Sequence, residues 1–83
     1  MANGEIVERV VRYIVREIVD NPEEVTVEIV EDGPDRVTAE VQTAKSDMGR
    51  VIGKRGRVAN AIRTIAAAAA EEEGLEAGVE FLD

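Results

Sequence analysis

The sequence has no cysteine, no histidine and no tryptophan, and its only aromatic residues are Tyr13 and Phe81. Without cysteine there is no disulfide framework, thiolate nucleophile or thiolate metal site, and a reducing compartment is permitted. The lack of histidine takes away a principal ligand of zinc and haem, so neither a metal nor another cofactor is expected. Ser46 is the only serine. No nucleophile with an adjacent base can be assembled by the usual routes, and the chain reads as a non-enzyme. Long apolar runs are missing as well: Met1-Ala2-Asn3-Gly4 leads into an amphipathic segment, so neither a signal peptide nor a membrane span is visible and the chain reads as cytoplasmic. With so few aromatics the core must be built from Val, Ile, Leu and Ala, in a chain of 83 residues that is 45% hydrophobic. That is enough for one small domain, residues 1–83.

Negative charge is plentiful and unevenly placed. The net charge is −8, yet residues 45–63 carry Lys45, Arg50, Lys54, Arg55, Arg57 and Arg63 against the single acid Asp47, a local balance of +5. The other 64 residues hold four cations and 17 acids, a balance of −13. Segregation of this kind is what a localised anion site requires, whereas the acidic remainder disfavours broad coating of nucleic acid. A polyanion met at one face is the expected partner.

The apolar period changes along the chain. Ile6, Val7, Val10, Val11, Ile14, Ile18 and Val19 recur at helical spacing and predict a helix over 5–20, stopped by Asp20-Asn21-Pro22. Alternation at Val25, Val27 and Ile29, then at Val37, Ala39 and Val41, predicts two strands, 25–31 and 36–43, with a turn at Glu31-Asp32-Gly33-Pro34-Asp35. Ser46 is placed to cap a short helix over 47–52 that Gly53 breaks. From Arg57 to about Glu73 helical spacing returns, with five consecutive alanines letting another element approach and Glu71 to Glu73 forming a solvated end. Gly74 is placed for a C-cap, and a last strand follows over 77–82.

The segment Val51-Ile52-Gly53-Lys54-Arg55-Gly56-Arg57 therefore lies between two helices. Glycines at 53 and 56 can take positive φ and let a phosphodiester lie against the main chain, and Lys54 and Arg55 at the tip supply attraction. The helix from Arg57 adds oriented amides and a partial positive charge. The blander alternative is a helix-to-helix turn with cations at a solvated tip, and Arg63, Lys45 and Arg50 are equally readable as ion-paired or solvated. Nucleotide-enzyme loops do not fit: Gly49 and Gly53 enclose three residues, Arg55 follows Lys54 where a Walker A needs Ser or Thr, and Gly49, Gly53 and Gly56 do not make the dinucleotide fingerprint.

The run Met48-Gly49-Arg50-Val51-Ile52-Gly53-Lys54-Arg55-Gly56-Arg57-Val58-Ala59-Asn60-Ala61-Ile62-Arg63 resembles the KH-domain signature. Together with Val19-Asp20-Asn21-Pro22-Glu23-Glu24-Val25 and the entry Asp47-Met48-Gly49, it makes nearly the whole chain similar to the small stand-alone bacterial KH proteins of the KhpA (YlqC) family. The resemblance implies an α+β, type II KH-like domain ordered helix-strand-strand-helix-helix-strand. A three-stranded mixed sheet would carry helices on one face, with strand 77–82 parallel to 36–43 and strand 25–31 antiparallel to it. It implies single-stranded RNA gripped by Gly53, Lys54, Arg55 and Gly56, with Arg57 and Arg50 beside them. Val51, Ile52 and Val58, and Ile62 or Val41, would be walls of a groove for bases. It further implies a role as RNA chaperone or post-transcriptional regulator, and pairing with a second copy or with a larger KH-containing partner, KhpB (Jag). A protein-interaction or dimerisation module with little RNA binding of its own is the alternative.

Overall fold

The computed structural model describes residues 3–82. Helix α1 (Glu5–Ile18) is followed by a hairpin of β1 (Thr26–Gly33) and β2 (Arg36–Gln42), then by α2 (Met48–Ile52), α3 (Arg57–Glu71) and β3 (Glu76–Leu82). The sheet order is β1-β2-β3, with β1 antiparallel and β3 parallel to β2. This is the expected α+β order and pairing.

Val7, Val11 and Val15 form one stripe of α1 and, with Val19 just beyond its end, pack with Val27, Val37, Ala39, Val41 and Val79 from the sheet and with Ile62, Ala66 and Ala70 from α3. Spacings of three and four residues on the helices and two on the strands put these side chains on facing surfaces. Ala66 and Ala70 have no exposed surface; their small size is what lets α3 lie close to its neighbours. The core is aliphatic throughout, and the helices cover one face of the sheet.

Several boundaries differ from the sequence reading. Helix α1 stops at Ile18 rather than at residue 20, because Val19 is already extended (φ −88°, ψ 161°) and the next two amides are held by Asp47. The turn of the hairpin shrinks to Pro34-Asp35, since Glu31 to Gly33 stay paired with β2 across a register irregularity. Ser46 does not cap α2: it sits inside a 3-10 turn, Lys45–Asp47, and makes no side-chain capping bond. The acids after the alanines are not merely solvated either. Glu73 accepts hydrogen bonds from the backbone N–H of Gly4 (3.2 Å) and Ile6 (3.0 Å), so a carboxylate 67 or more residues away neutralises the start of α1, where free amides favour an anion.

The uncovered sheet face is acidic. The register places Glu28 opposite Glu40 and Glu40 beside Glu80, one rung of three carboxylates, and like charges directly opposite destabilise a sheet. Replacing the central residue, Glu40→Lys, converts two repulsions into attractions. Urea denaturation should show a gain of about 0.5–1 kcal/mol with unchanged slope. That gain should shrink at high salt, where screening shortens to a few ångströms.

Candidate functional site

Helix α2 is terminated by Gly53, whose amide still bonds Gly49 O at 2.9 Å while its φ of 76° and ψ of 172° lie where only glycine is comfortable. A Cβ there would also stand 2.5 Å from Val58 Cγ2 and 2.9 Å from the Val58 backbone nitrogen, so the position excludes every side chain twice over. Gly56 differs. It has a φ of 72°, but among the described residues nothing lies within 4 Å of where its Cβ would be. The space beside Gly56 is open to an incoming backbone. Between the glycines Lys54 and Arg55 form a tight turn closed by Gly56 N–H to Gly53 O at 3.1 Å. Arg55 itself is left-handed (φ 57°, ψ 26°) and is the only non-glycine with positive φ among the described residues, a conformation costing about 1–2 kcal/mol. Glycine spacing revealed the two ends of the turn but not this strained residue between them.

The turn feeds directly into α3. Gly56 is its N-cap, with no side-chain capping bond, so the first amides of a 15-residue helix face the loop with a partial positive charge. Lys54, Arg55 and Arg57 are exposed and make no ion pair among the described residues. Of the other cations of the basic segment, Lys45 is exposed and makes no ion pair among the described residues, whereas Arg50 and Arg63 are engaged. Arg50 lies 3.2 Å from Asp20. Arg63 donates from Nε to Val79 O at 3.3 Å and from Nη1 to Asn60 Oδ1 at 3.2 Å, with its guanidinium 5.5 Å from the centroid of the Phe81 ring. Arg63 thus ties α3 to β3. The unpaired charge concentrates at the tip.

The expected groove walls divide in two. Ile52 and Val58 remain partly exposed beside the loop. Val51, Val41 and Ile62 are enclosed, at 0%, 0% and 1% exposure. These three belong to the core and support the loop from within, because the side of α2 and α3 that carries them is the side that packs on the sheet.

Asp47, the lone acid of the basic segment, is the only charged residue buried among the described residues, at 1% exposure. Its carboxylate accepts hydrogen bonds from the Asp20 amide (3.1 Å), the Asn21 amide (3.0 Å) and Asn21 Nδ2 (3.0 Å). The Asp20 amide does most to hold its pKa below the usual carboxylate range, burial opposes this, and the Asn21 donors and Arg50 add to the lowering. An acid among six cations is a signal the sequence carried, but its partners lie 26 and 27 residues away. The result is a strap from the end of α1 to the start of α2, six residues before Gly53.

A family model described as the KH domain of KhpA/KhpB matches residues 8–81. The chain belongs to that family. The family is defined by a KH domain and is not one of enzymes. Among its relatives, proteins named RNA-binding protein KhpA share 38% identity over 76 residues in Treponema pallidum, 92% of this chain and 94% of the relative. Those of Clostridium perfringens and Caldanaerobacter subterraneus share 41% and 42% over 72 residues, 87% of this chain and 95% of each relative. Of solved structures, Aquifex aeolicus Era superposes with a TM-score of 0.69 at 20% identity over 92% of this chain. This chain matches 30% of the length of Era, and the likeness is one of fold.

The two glycines should respond differently to alanine. Gly56→Ala should lower stability by about 1–2 kcal/mol, the penalty of a left-handed Cβ. Gly53→Ala should lower it further, since the clash with Val58 adds to the backbone strain; urea denaturation of both variants checks the order. Because the folded pKa of Asp47 lies below the unfolded value of about 3.9, its contribution is complete above that pH and is lost as pH falls through the folded value. Asp47→Asn should unfold at lower urea at neutral pH, and should lose less further stability than the parent on acidification below about pH 4.

Proposed function

We propose that the chain binds single-stranded RNA, with the Gly53-Lys54-Arg55-Gly56 loop gripping the sugar-phosphate backbone over about four nucleotides. The single observation that carries this reading is the conjunction at the loop. Open space beside Gly56, uncapped amides of α3 and the exposed cations Lys54, Arg55 and Arg57 converge on one point of an acidic protein. Arg50 flanks it, and Ile52 and Val58 offer the apolar surface against which bases would lie. Residues 1–83 then act as one KH domain with its motif at 53–56. The printed name of the relatives, RNA-binding protein KhpA, supports the same ligand. A role as RNA chaperone or post-transcriptional regulator in the cytoplasm is part of the same proposal. Among the described residues no helix is long and apolar enough to cross a membrane.

Pairing is the second reading. Ile65 is 42% exposed on α3, an apolar side chain on an uncovered flank, and it favours contact with a second copy or with a KhpB-type partner.

Fluorescence anisotropy with a mixed-sequence RNA tests the first reading. The folded double variant Lys54→Asp/Arg55→Asp should lose binding. For the parent, log K should fall with log salt at a slope of roughly −1.5 to −3, about −0.7 for each phosphate neutralised. Equal binding by the two proteins, or a flat salt response, would transfer the function to protein contact.

A further inference from the structure

The basic segment accounts for six of the ten cations; three of the remaining four lie on one stripe of α1. Arg9, Arg12 and Arg16 recur at spacings of three and four residues, on the side opposite Val7, Val11 and Val15, which have no exposed surface. Tyr13 stands on the same outward side and is 68% exposed. It is the more exposed of the only two aromatic residues in the chain. Arg12 is paired with Glu8, four residues earlier, whereas Arg9 and Arg16 make no ion pair among the described residues. Tyr13 and Arg16 border an open depression of about 380 Å³ that is also lined by Arg12, Glu17 and Pro22.

The C-terminal end of α1 is tied to the start of α2 by the Asp47 strap. The end of α1 leads to Asp20, which is hydrogen-bonded to Asp47 and ion-paired with Arg50 of α2. An RNA strand leaving the loop past Arg50 would meet Arg16 first, then Tyr13, then Arg9. From Arg9 to Arg16 is two helical turns, about 10.5 Å. A ring flanked by guanidinium groups is what a sequence-tolerant contact to single-stranded RNA uses, the base stacking on the aromatic and the phosphates meeting the cations. The acidic sheet face, with its rung of Glu28, Glu40 and Glu80, would repel the strand.

We infer that the outward face of α1 is a second RNA contact, in which a base stacks on Tyr13 and flanking phosphates meet Arg9 and Arg16, extending the footprint beyond the nucleotides at the loop. The inference rests on the proposed RNA-binding reading. It makes longer single-stranded RNA bind more tightly than a four-nucleotide RNA for a reason located on α1.

The test titrates a four-nucleotide RNA and one of about twelve nucleotides, within the range of single-strand site sizes, with the parent, Tyr13→Ala, Tyr13→Phe, Arg9→Gln/Arg16→Gln and Lys54→Asp/Arg55→Asp. These side chains are exposed or half-exposed, and circular dichroism confirms that each variant is folded. Tyr13→Ala should bind the long RNA about five- to tenfold more weakly, Tyr13→Phe should restore it, and neither should alter binding of the short RNA. Arg9→Gln/Arg16→Gln should make the salt slope for the long RNA shallower by about 1.4, two phosphate contacts' worth. As the sole tyrosine in a chain without tryptophan, Tyr13 also reports directly: its emission, corrected for absorption by RNA, should be quenched by the long RNA and not by the short one. An undiminished long-RNA advantage in the α1 variants, or unquenched emission at saturation, overturns the inference. So does a change in sedimentation of Tyr13→Ala with its RNA affinity intact, which would make the face a protein contact. Loss of short-RNA binding in the loop variant alone upholds the loop, whereas Tyr13-dependent binding that survives the loop variant upholds α1 and removes the loop reading.

Discussion

The carboxylate of Asp47 is the constraint on which the arrangement of the RNA-binding candidate depends. Burying an anion is unfavourable unless its oxygens are satisfied, and here they receive three N–H donors from Asp20 and Asn21. Meeting that requirement fixes where α1 must end, since two amides that would otherwise look for helical or solvent partners point at Asp47 instead. It also fixes where α2 begins, because Asp47 is its N-cap residue. A five-residue helix has little stability of its own. Its direction, and with it the position of Gly53, is set by this strap and by Val51 seated in the core.

Charge is organised around the same point. Asp47 faces inward, where its oxygens are taken up by the Asp20 and Asn21 donors and not by the cations of the tip. Arg50 is drawn to Asp20 and Arg63 to the β3 backbone, leaving Lys54, Arg55 and Arg57 at the tip together with the amide ends of α3. The acids lie elsewhere, many on the uncovered sheet face and some in structural work: Glu73 holds the start of α1. A strongly acidic protein can in this way offer a narrow and oriented attraction for phosphates while its bulk repels them. Strain is part of the design as well. The left-handed Arg55 between two positive-φ glycines makes the turn compact enough for backbone to approach backbone.

Element types and their order were legible in the sequence because each depends on local periodicity: valines at three and four in α1, alternation in β1 and β2, Gly53 and Gly56 flanking two cations. The KH signature placed those cations between helices, and in the fold they lie between α2 and α3. Boundaries were less legible where a distant group intervened. The last turn predicted for α1 was lost to Asp47, the cap expected from Ser46 was not used, and Glu73 proved to be a cap for the first helix rather than a solvated end. Val51, Val41 and Ile62 were indistinguishable from groove residues by type alone, since valine and isoleucine serve either role and only packing tells which side of a helix faces the sheet.

By itself the sequence determined the aliphatic core, the helix and strand pattern, the segregation of charge and the glycine positions of the turn, all properties of residues near one another in the chain. Only the tertiary structure decided which cations stay unpaired, which apolar side chains reach the surface, that Asp47 and Glu73 act as straps, and that Tyr13 stands with three arginines on an outward face. Those outcomes turn on pairs tens of residues apart and on which face of each helix is covered, and neither is encoded in local spacing.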